Sequence, residues 1–214
     1  MPSKNIFYVV AGLVILVLVG YSIEKGHSPR TASEWLTPIG PAVTLAGMVL
    51  WLWDRFIWRW PVVSSIAGRP VLHGTWHGEL VSDACDEVTG IQVPVDSDVY
   101  LVIRQRFWSV SARLLTKDSA SLSLTASFKA DGDGVQQLLY VYRATPRPGV
   151  QLKSKMHLGA VVLDTPRDGS HLQGRYFTDR KSGGELRFSR RLKPLVETHA
   201  AGRQAVATAN TPKK

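Results

Sequence analysis

The stretch DVYLVIRQRFWSVSARLLTKDSASLSLTASFKA, residues 98–130, decides the fold. Its apolar residues alternate with polar ones or form short runs, β-branched and aromatic types are frequent, and D-S-A-S interrupts it with turn-forming residues. That is the pattern of short strands that each bury one face. Strands are read from Asp98 to Gln105, Phe107 to Thr116 and Ser119 to Ala130. Outward from this block the same pattern gives Leu72 to Val81, Val135 to Ala144, Lys155 to Leu163, His171 to Thr178 and Gly184 to Arg190. Between them lie A-D-G-D-G, T-P-R-P-G, T-P-R-D-G-S and D-R-K-S-G-G, rich in residues that make turns. Eight strands on short connections predict an antiparallel up-and-down β-barrel, since closure removes edge strands and leaves room for packed side chains or one small ligand. An open sandwich is the alternative. Roughly 120 residues suffice for one core.

The amino-terminal part reads differently. Ile6 to Ile23 and Leu36 to Trp53 carry no charge, and each spans roughly 27 Å as a helix, close to a bilayer's hydrocarbon core. A signal peptide competes for the first segment, but Gly20 to Lys25 makes a poor cleavage site. A buried helix competes for the second, which contains Pro38, Gly40, Pro41 and Gly47. The preferred reading is a membrane-anchored all-β protein with a two-helix transmembrane hairpin in residues 1–69, a barrel in 70–191 and a disordered basic tail in 192–214. Trp51, Trp53, Trp58 and Trp60, with Arg55 and Arg59, suggest a headgroup collar. The distribution of Lys and Arg puts both termini and the barrel in the cytoplasm, in a multi-pass protein of the bacterial inner membrane.

Charge limits the partners. The chain of 214 residues has a formal net charge of +9, yet residues 71–189 hold 14 Lys and Arg against 13 Asp and Glu. The excess sits at the two ends. A basic face for duplex nucleic acid is therefore disfavoured, and contact with anionic lipid is natural. The single cysteine, Cys85, cannot form an internal disulfide, as expected in a reducing compartment.

Several short motifs occur in a telling order: G-T-W-H-G at Gly74 to Gly78, R-Q at Arg104 and Gln105, S-L-S at Ser121 to Ser123, Y-V-Y at Tyr140 to Tyr142, H-L-G at His157 to Gly159 and G-R-Y-F-T-D-R at Gly174 to Arg180. With two apolar segments ahead of a β-rich domain, the chain from Ile6 to Arg190 resembles the two-transmembrane, β-strand-rich effectors of bacterial CBASS anti-phage systems. The resemblance implies a barrel that binds a cyclic dinucleotide made by a partner nucleotidyltransferase. It also implies ligand-induced self-association into oligomers and disruption of the inner membrane, which kills or arrests the infected cell. It implies no catalytic residue, cofactor or metal.

A cyclic dinucleotide asks for cations or hydrogen-bond donors at its phosphates and for aromatic faces or amide edges at its bases. Strand phase puts Leu172, Gly174, Tyr176, Thr178 and, if the strand continues, Arg180 on one face, and Val99, Leu101, Ile103 and Gln105 on another. Both grade from apolar to polar. Gln105, Tyr176, Thr178 and Arg180 are therefore candidates for the ligand mouth, with Arg180 on a phosphate. Ser121 and Ser123, in a row of hydroxyls from Ser119 to Ser127, are candidates for hydrogen bonds to a nucleotide, though a solvent-facing row is the commoner cause of such a pattern. Tyr140 and Tyr142 are candidates for stacking or for the core. His157 opens a strand in which Gly159 could admit a close ligand approach. Trp76 is read as a plug for one barrel end.

Enzyme readings fare poorly. His73, Thr75, His77 and Glu79 share a face of the first strand, but no third metal ligand stands at a useful spacing, so a solvated outer face is preferred. No G-x-S-x-G, phosphate-binding glycine loop or cysteine pair occurs. The competing function is a membrane-tethered, lipocalin-like carrier of an apolar ligand, which would have a uniformly apolar interior.

Overall fold

The computed structural model describes residues 4–26, 31–82, 96–130, 135–150, 155–166 and 168–210. Cys85 and the turn at 131–134 lie outside them. The chain divides into two compact units, Met1–Trp58 and Arg59–Lys214.

The first unit holds α1 (Lys4–Lys25) and α2 (Ala32–Arg55), which contact one another. Thr31 caps α2 by accepting a hydrogen bond from the Glu34 amide. Among the described residues no helix is long and apolar enough to cross a membrane. The transmembrane hairpin is therefore corrected, and the multi-pass inner-membrane location falls with it. The apolar part of α2 is interrupted by Pro38, Gly40, Pro41, Thr44 and Gly47, residues that lower its hydropathy and weaken a spanning helix. The headgroup collar loses the spans it was to flank, and within it Trp58 is fully buried, donating to the Asp54 carbonyl at 3.0 Å, while Trp51 and Trp60 are exposed.

The second unit begins with the short helix α3 (Pro61–Ala67) and continues as β1 (Gly74–Ser82), β2 (Asp96–Gln105), β3 (Val110–Leu115), β4 (Ser119–Ala130), β5 (Gln136–Pro146), β6 (His157–Thr165), β7 (Leu172–Thr178) and β8 (Gly183–Leu192). Each strand pairs antiparallel with the next, and β8 returns to β1, closing an up-and-down barrel as the alternation predicts. The sandwich is excluded. Val99, Leu101 and Ile103 point inward with Trp76, Leu138, Leu163, Leu172, Leu186 and Phe188, all buried in one core.

Two departures from strict alternation matter. In β4 the register shifts between Ser123 and Thr125 as the strand bulges at Leu124. Ser121 and Ser123 face inward before the bulge; after it Ala126 and Phe128 pack against the core while Thr125 and Ser127 are exposed. The single hydroxyl face expected from Ser119 to Ser127 is thus split. In β7 the strand ends at Thr178, and the chain turns through Lys181 in the left-handed region at φ 59°. Arg180 belongs to that exposed turn and does not continue the strand face.

One barrel end is sealed by side chains bonded to backbone. Gln105 is 1% exposed; its Oε1 accepts from the Leu72 amide at 2.8 Å and its Nε2 donates to the Pro70 carbonyl at 2.9 Å. Trp76 Nε1 donates to the Leu72 carbonyl at 2.9 Å, and Arg191 lies over the Trp76 ring while donating to the carbonyls of Val71 and His73. Gln105 therefore stitches the 70–72 segment across the barrel base, which corrects its placement at a ligand mouth.

The tail expected to be disordered from residue 192 instead contains α4 (His199–Asn210), packed against β1 and β2. Thr75 pins the connecting segment, donating to the Pro194 carbonyl at 2.7 Å and accepting from the Val196 amide at 3.2 Å. The outward residues Tyr100, Val102 and Leu115 are buried with Val196, which corrects the solvated outer face expected around Thr75. His199 Nε2 donates to the Asp98 carbonyl at 2.7 Å, and Arg203 reaches the Asp98 carboxylate at 3.6 Å. Gly202 lies on Tyr100 so closely that an added β-carbon would stand 2.6 Å from its ring.

Three expectations follow. Gln105→Ala should cost about 1–3 kcal/mol, because it strands the Leu72 amide and the Pro70 carbonyl in the closed end; urea unfolding checks this. Gly202→Leu should abolish hydrogen-exchange protection in 199–210 while leaving the strands protected, and equal protection would mean that Tyr100 does not seat the helix. At Asp98 burial raises the carboxyl pKa, but hydrogen bonds from Tyr100 and His77 and the charges of His77 and His199 outweigh it, so the group lies below its ordinary 3.8. A depressed carboxylate contributes stability that is complete above the unfolded value and is lost as pH falls through the folded one. Protection of α4 should accordingly weaken below about pH 4 in the same exchange measurement.

Candidate functional site

The other end of the barrel opens into a cavity of about 410 Å³. Its position follows from topology: odd-numbered strands end there and even-numbered strands begin there, so the turns β3–β4 and β7–β8 and the connection β5–β6 surround it. Leu80, Leu114, Val161 and Leu186 form its apolar part, continuous with the core. Tyr142, Tyr176 and His157 supply rings, and Asp118 a carboxylate.

Each tyrosine lies over a glycine on the neighbouring strand. Tyr142 pairs with Gly159, and its ring and hydroxyl occupy the space where a β-carbon would be. Tyr176 pairs with Gly184, where an added β-carbon would meet the ring at 2.7 Å. Gly159 thus makes room for the protein's own tyrosine. Burial pushes the Tyr142 hydroxyl up to about 12, helped by Tyr176 and Asp179, so it stays protonated and can donate at neutral pH. Tyr142 also meets His157 edge to face, with ring centres 6.3 Å apart.

Hydroxyls close the rim in pairs. Thr178 and Ser182 lie oxygen to oxygen at 2.7 Å across the β7–β8 turn, and Thr116 and Ser119 at 3.0 Å across β3–β4. Ser121 differs from these. It is 6% exposed, it lines the cavity, and its hydroxyl finds no hydrogen-bond partner among the described residues. A buried hydroxyl left unsatisfied costs free energy that a polar ligand would restore.

Of the nine residues singled out from sequence, the structure brings Ser121, Tyr142, His157, Tyr176 and Thr178 together around this cavity. Four do not line it. Gln105 seals the opposite end, and Arg180 lies in the exposed β7–β8 turn beside the mouth, outside the lining. Ser123 accepts from the Ala112 amide at 3.0 Å. Tyr140 is fully buried below Tyr142, at 6.1 Å between ring centres, with its hydroxyl unpartnered among the described residues and its pKa raised by that burial. Sequence reasoning missed Ser82, Thr116, Ser119 and Ser182, having read Thr116 as a strand end, Ser119 as part of a turn or of a solvent-facing row, and Ser182 as part of a turn. A Thr and a Ser flanking each tight turn, T-K-D-S and T-D-R-K-S, was the available signal.

Among the described residues no three His, Cys, Asp or Glu side chains are grouped to hold a metal ion. His73 accepts from the Gln105 amide at 3.1 Å, and His77 bonds Asp98 at 2.8 Å.

Residues 68–190 match the family described as Cap15, cyclic dinucleotide receptor domain. CD-NTase-associated protein 15 of Staphylococcus schleiferi is 24% identical over 156 residues, covering 73% of this chain and 80% of that relative. The matched segment is the barrel, from just before β1 into β8. With more than half of its length matched, and with the ordered motifs resting on the strands of that barrel, the chain belongs to the Cap15 cyclic dinucleotide receptor family and is a CBASS antiviral-defence protein with a β-barrel sensor.

Proposed function

We propose that the open cavity is the receptor site, that it takes up a cyclic dinucleotide made by a partner nucleotidyltransferase, and that occupancy drives self-association. The observation that carries this reading is the barrel's asymmetry: one end is stitched shut by Gln105 and Trp76, and the other offers two tyrosines, an imidazole and the unpartnered Ser121 hydroxyl. Aromatic rings suit nucleobases, and hydroxyls suit base edges and ribose. A carrier of an apolar molecule is disfavoured by the same groups. The protein is read as a receptor and not as an enzyme, in keeping with the cyclic dinucleotide receptor domain it matches. The output at the inner membrane required the spans and is not retained.

Titration calorimetry of the full chain against cyclic dinucleotides, a cyclic trinucleotide and a fatty acid tests the reading. One cyclic dinucleotide is expected to bind at micromolar affinity or better, and sedimentation velocity should show larger species only in its presence. Uptake of the fatty acid alone would replace the receptor with the carrier. Tyr142→Ala and Tyr176→Ala should each weaken nucleotide binding about five- to a hundredfold, the equivalent of roughly 1–3 kcal/mol for a base stacked on an aromatic ring.

A further inference from the structure

The cavity wall contains no arginine or lysine among the described residues, and its one formal charge is the carboxylate of Asp118. This is at odds with a ligand that carries two phosphodiester charges. Removing a phosphate from water into a wall of neutral groups beside a carboxylate is unfavourable, because nothing there replaces its hydration.

Cations stand immediately outside instead. Arg147 follows the lining residue Pro146, Lys155 comes two residues before the lining His157, and Lys181 sits between the lining residues Thr178 and Ser182. All three are exposed, and Lys117 and Arg180, exposed in turns around the same mouth, already make other interactions. Their loops are tied to the barrel end and to each other. The Arg147 amide donates to the Asp118 carbonyl at 2.9 Å, and the Asp179 amide donates to the Leu158 carbonyl at 3.0 Å. The Leu158 amide returns a bond to the Asp179 carboxylate at 3.1 Å. The three cations therefore stand on connections bonded to the barrel end, beside a well whose wall holds no cation among the described residues.

We infer that the ligand enters base first: one nucleobase with its ribose descends to Tyr142, Tyr176 and Ser121, while the phosphates stay at the rim against Arg147, Lys155 and Lys181. This rests on the reading of the cavity as the receptor site. The neutral hydroxyls then meet base edges and sugar hydroxyls, which they can satisfy in either direction. The cations meet phosphates in partly hydrated surroundings, where the attraction depends on salt. Discrimination among ligands divides in the same way, with base identity read in the well and phosphate charge at the rim.

The test is calorimetry on the full chain with the cyclic dinucleotide that the wild type binds, repeated across a sodium chloride series. The triple variant Arg147→Gln, Lys155→Gln, Lys181→Asn keeps polar side chains in the three loops, and asparagine tolerates the left-handed backbone at 181. It is expected to lose affinity tenfold or more at low salt and to bind with a much flatter salt dependence than wild type. Ser121→Ala should lose affinity severalfold with the wild-type salt dependence intact. A triple variant with wild-type affinity and salt dependence overturns the inference while leaving the receptor reading in place. So does a Ser121→Ala protein that loses the salt dependence. A wild-type chain that binds no cyclic dinucleotide overturns the receptor reading itself.

Discussion

Everything in the second unit depends on the antiparallel pairing of β8 with β1. That contact, running from Thr75 opposite Leu192 to Ser82 opposite Gly184, turns a meander of eight strands into a closed surface with no free edge. Closure fixes an inside, and the inside of an eight-stranded barrel is narrow enough for side chains to fill. Leu101, Leu138, Leu163 and Phe188 are among the side chains that fill it. The barrel's two ends are then the places where chain chemistry can differ, and they differ completely. Gln105 satisfies both backbone partners at the base, whereas the Ser121 hydroxyl near the mouth has no partner among the described residues. Buried polar groups are nearly always paired in folded proteins, so the contrast distinguishes a structural end from a binding end.

Close packing at the mouth comes from glycine as much as from tyrosine. Strands pair at a separation that leaves little room for a ring lying flat on the sheet's inner face. Gly159 and Gly184 remove the β-carbons that would obstruct Tyr142 and Tyr176. The rings are laid against backbone and held in place before any ligand arrives. Preorganised aromatic faces cost less to occupy than rings ordered on binding.

The barrel was legible because its signals are local: alternation over 98–130 and turn residues at near-regular intervals. The cavity was half legible, for a reason that lies in topology. In an up-and-down barrel neighbouring strands run in opposite directions, so the carboxyl ends of β2 and β7 lie at opposite ends of the molecule. Gln105 and Thr178, each the polar end of an apolar gradient, could not have shared a mouth. Strand parity alone excludes Gln105 and retains Tyr142, His157 and Tyr176. The bulge at Leu124 was not readable, since Leu122 and Leu124 fit the expected alternation and yet face out, at 53% and 56% exposure. The docked helix left a trace that was overlooked. Val99 to Ile103 is five apolar residues in a row, too many for a strand with one wet face. Tyr100 and Val102 are apolar because Val196 and α4 cover them. The two amino-terminal helices misled in the opposite direction: an uncharged run was read as a span, although among the described residues no helix is long and apolar enough to cross a membrane.

A closed barrel also constrains how binding can be signalled. Every strand is paired on both sides and the core is packed, so a ligand in the mouth cannot bend the wall without breaking ladder hydrogen bonds or opening voids. A ligand shifts an association equilibrium only through its preference for the associated form, and a hundredfold preference corresponds to roughly 2.7 kcal/mol. That difference has to arise where the structure can still change at low cost, which means the turns around the mouth and the surface they present. The Thr178–Ser182 and Thr116–Ser119 pairs hold those turns through a few exchangeable hydroxyl contacts. If the ligand rests on the cationic rim as inferred, its charge alters that same surface directly. On that reading coupling runs through charge at the mouth and not through deformation of the barrel.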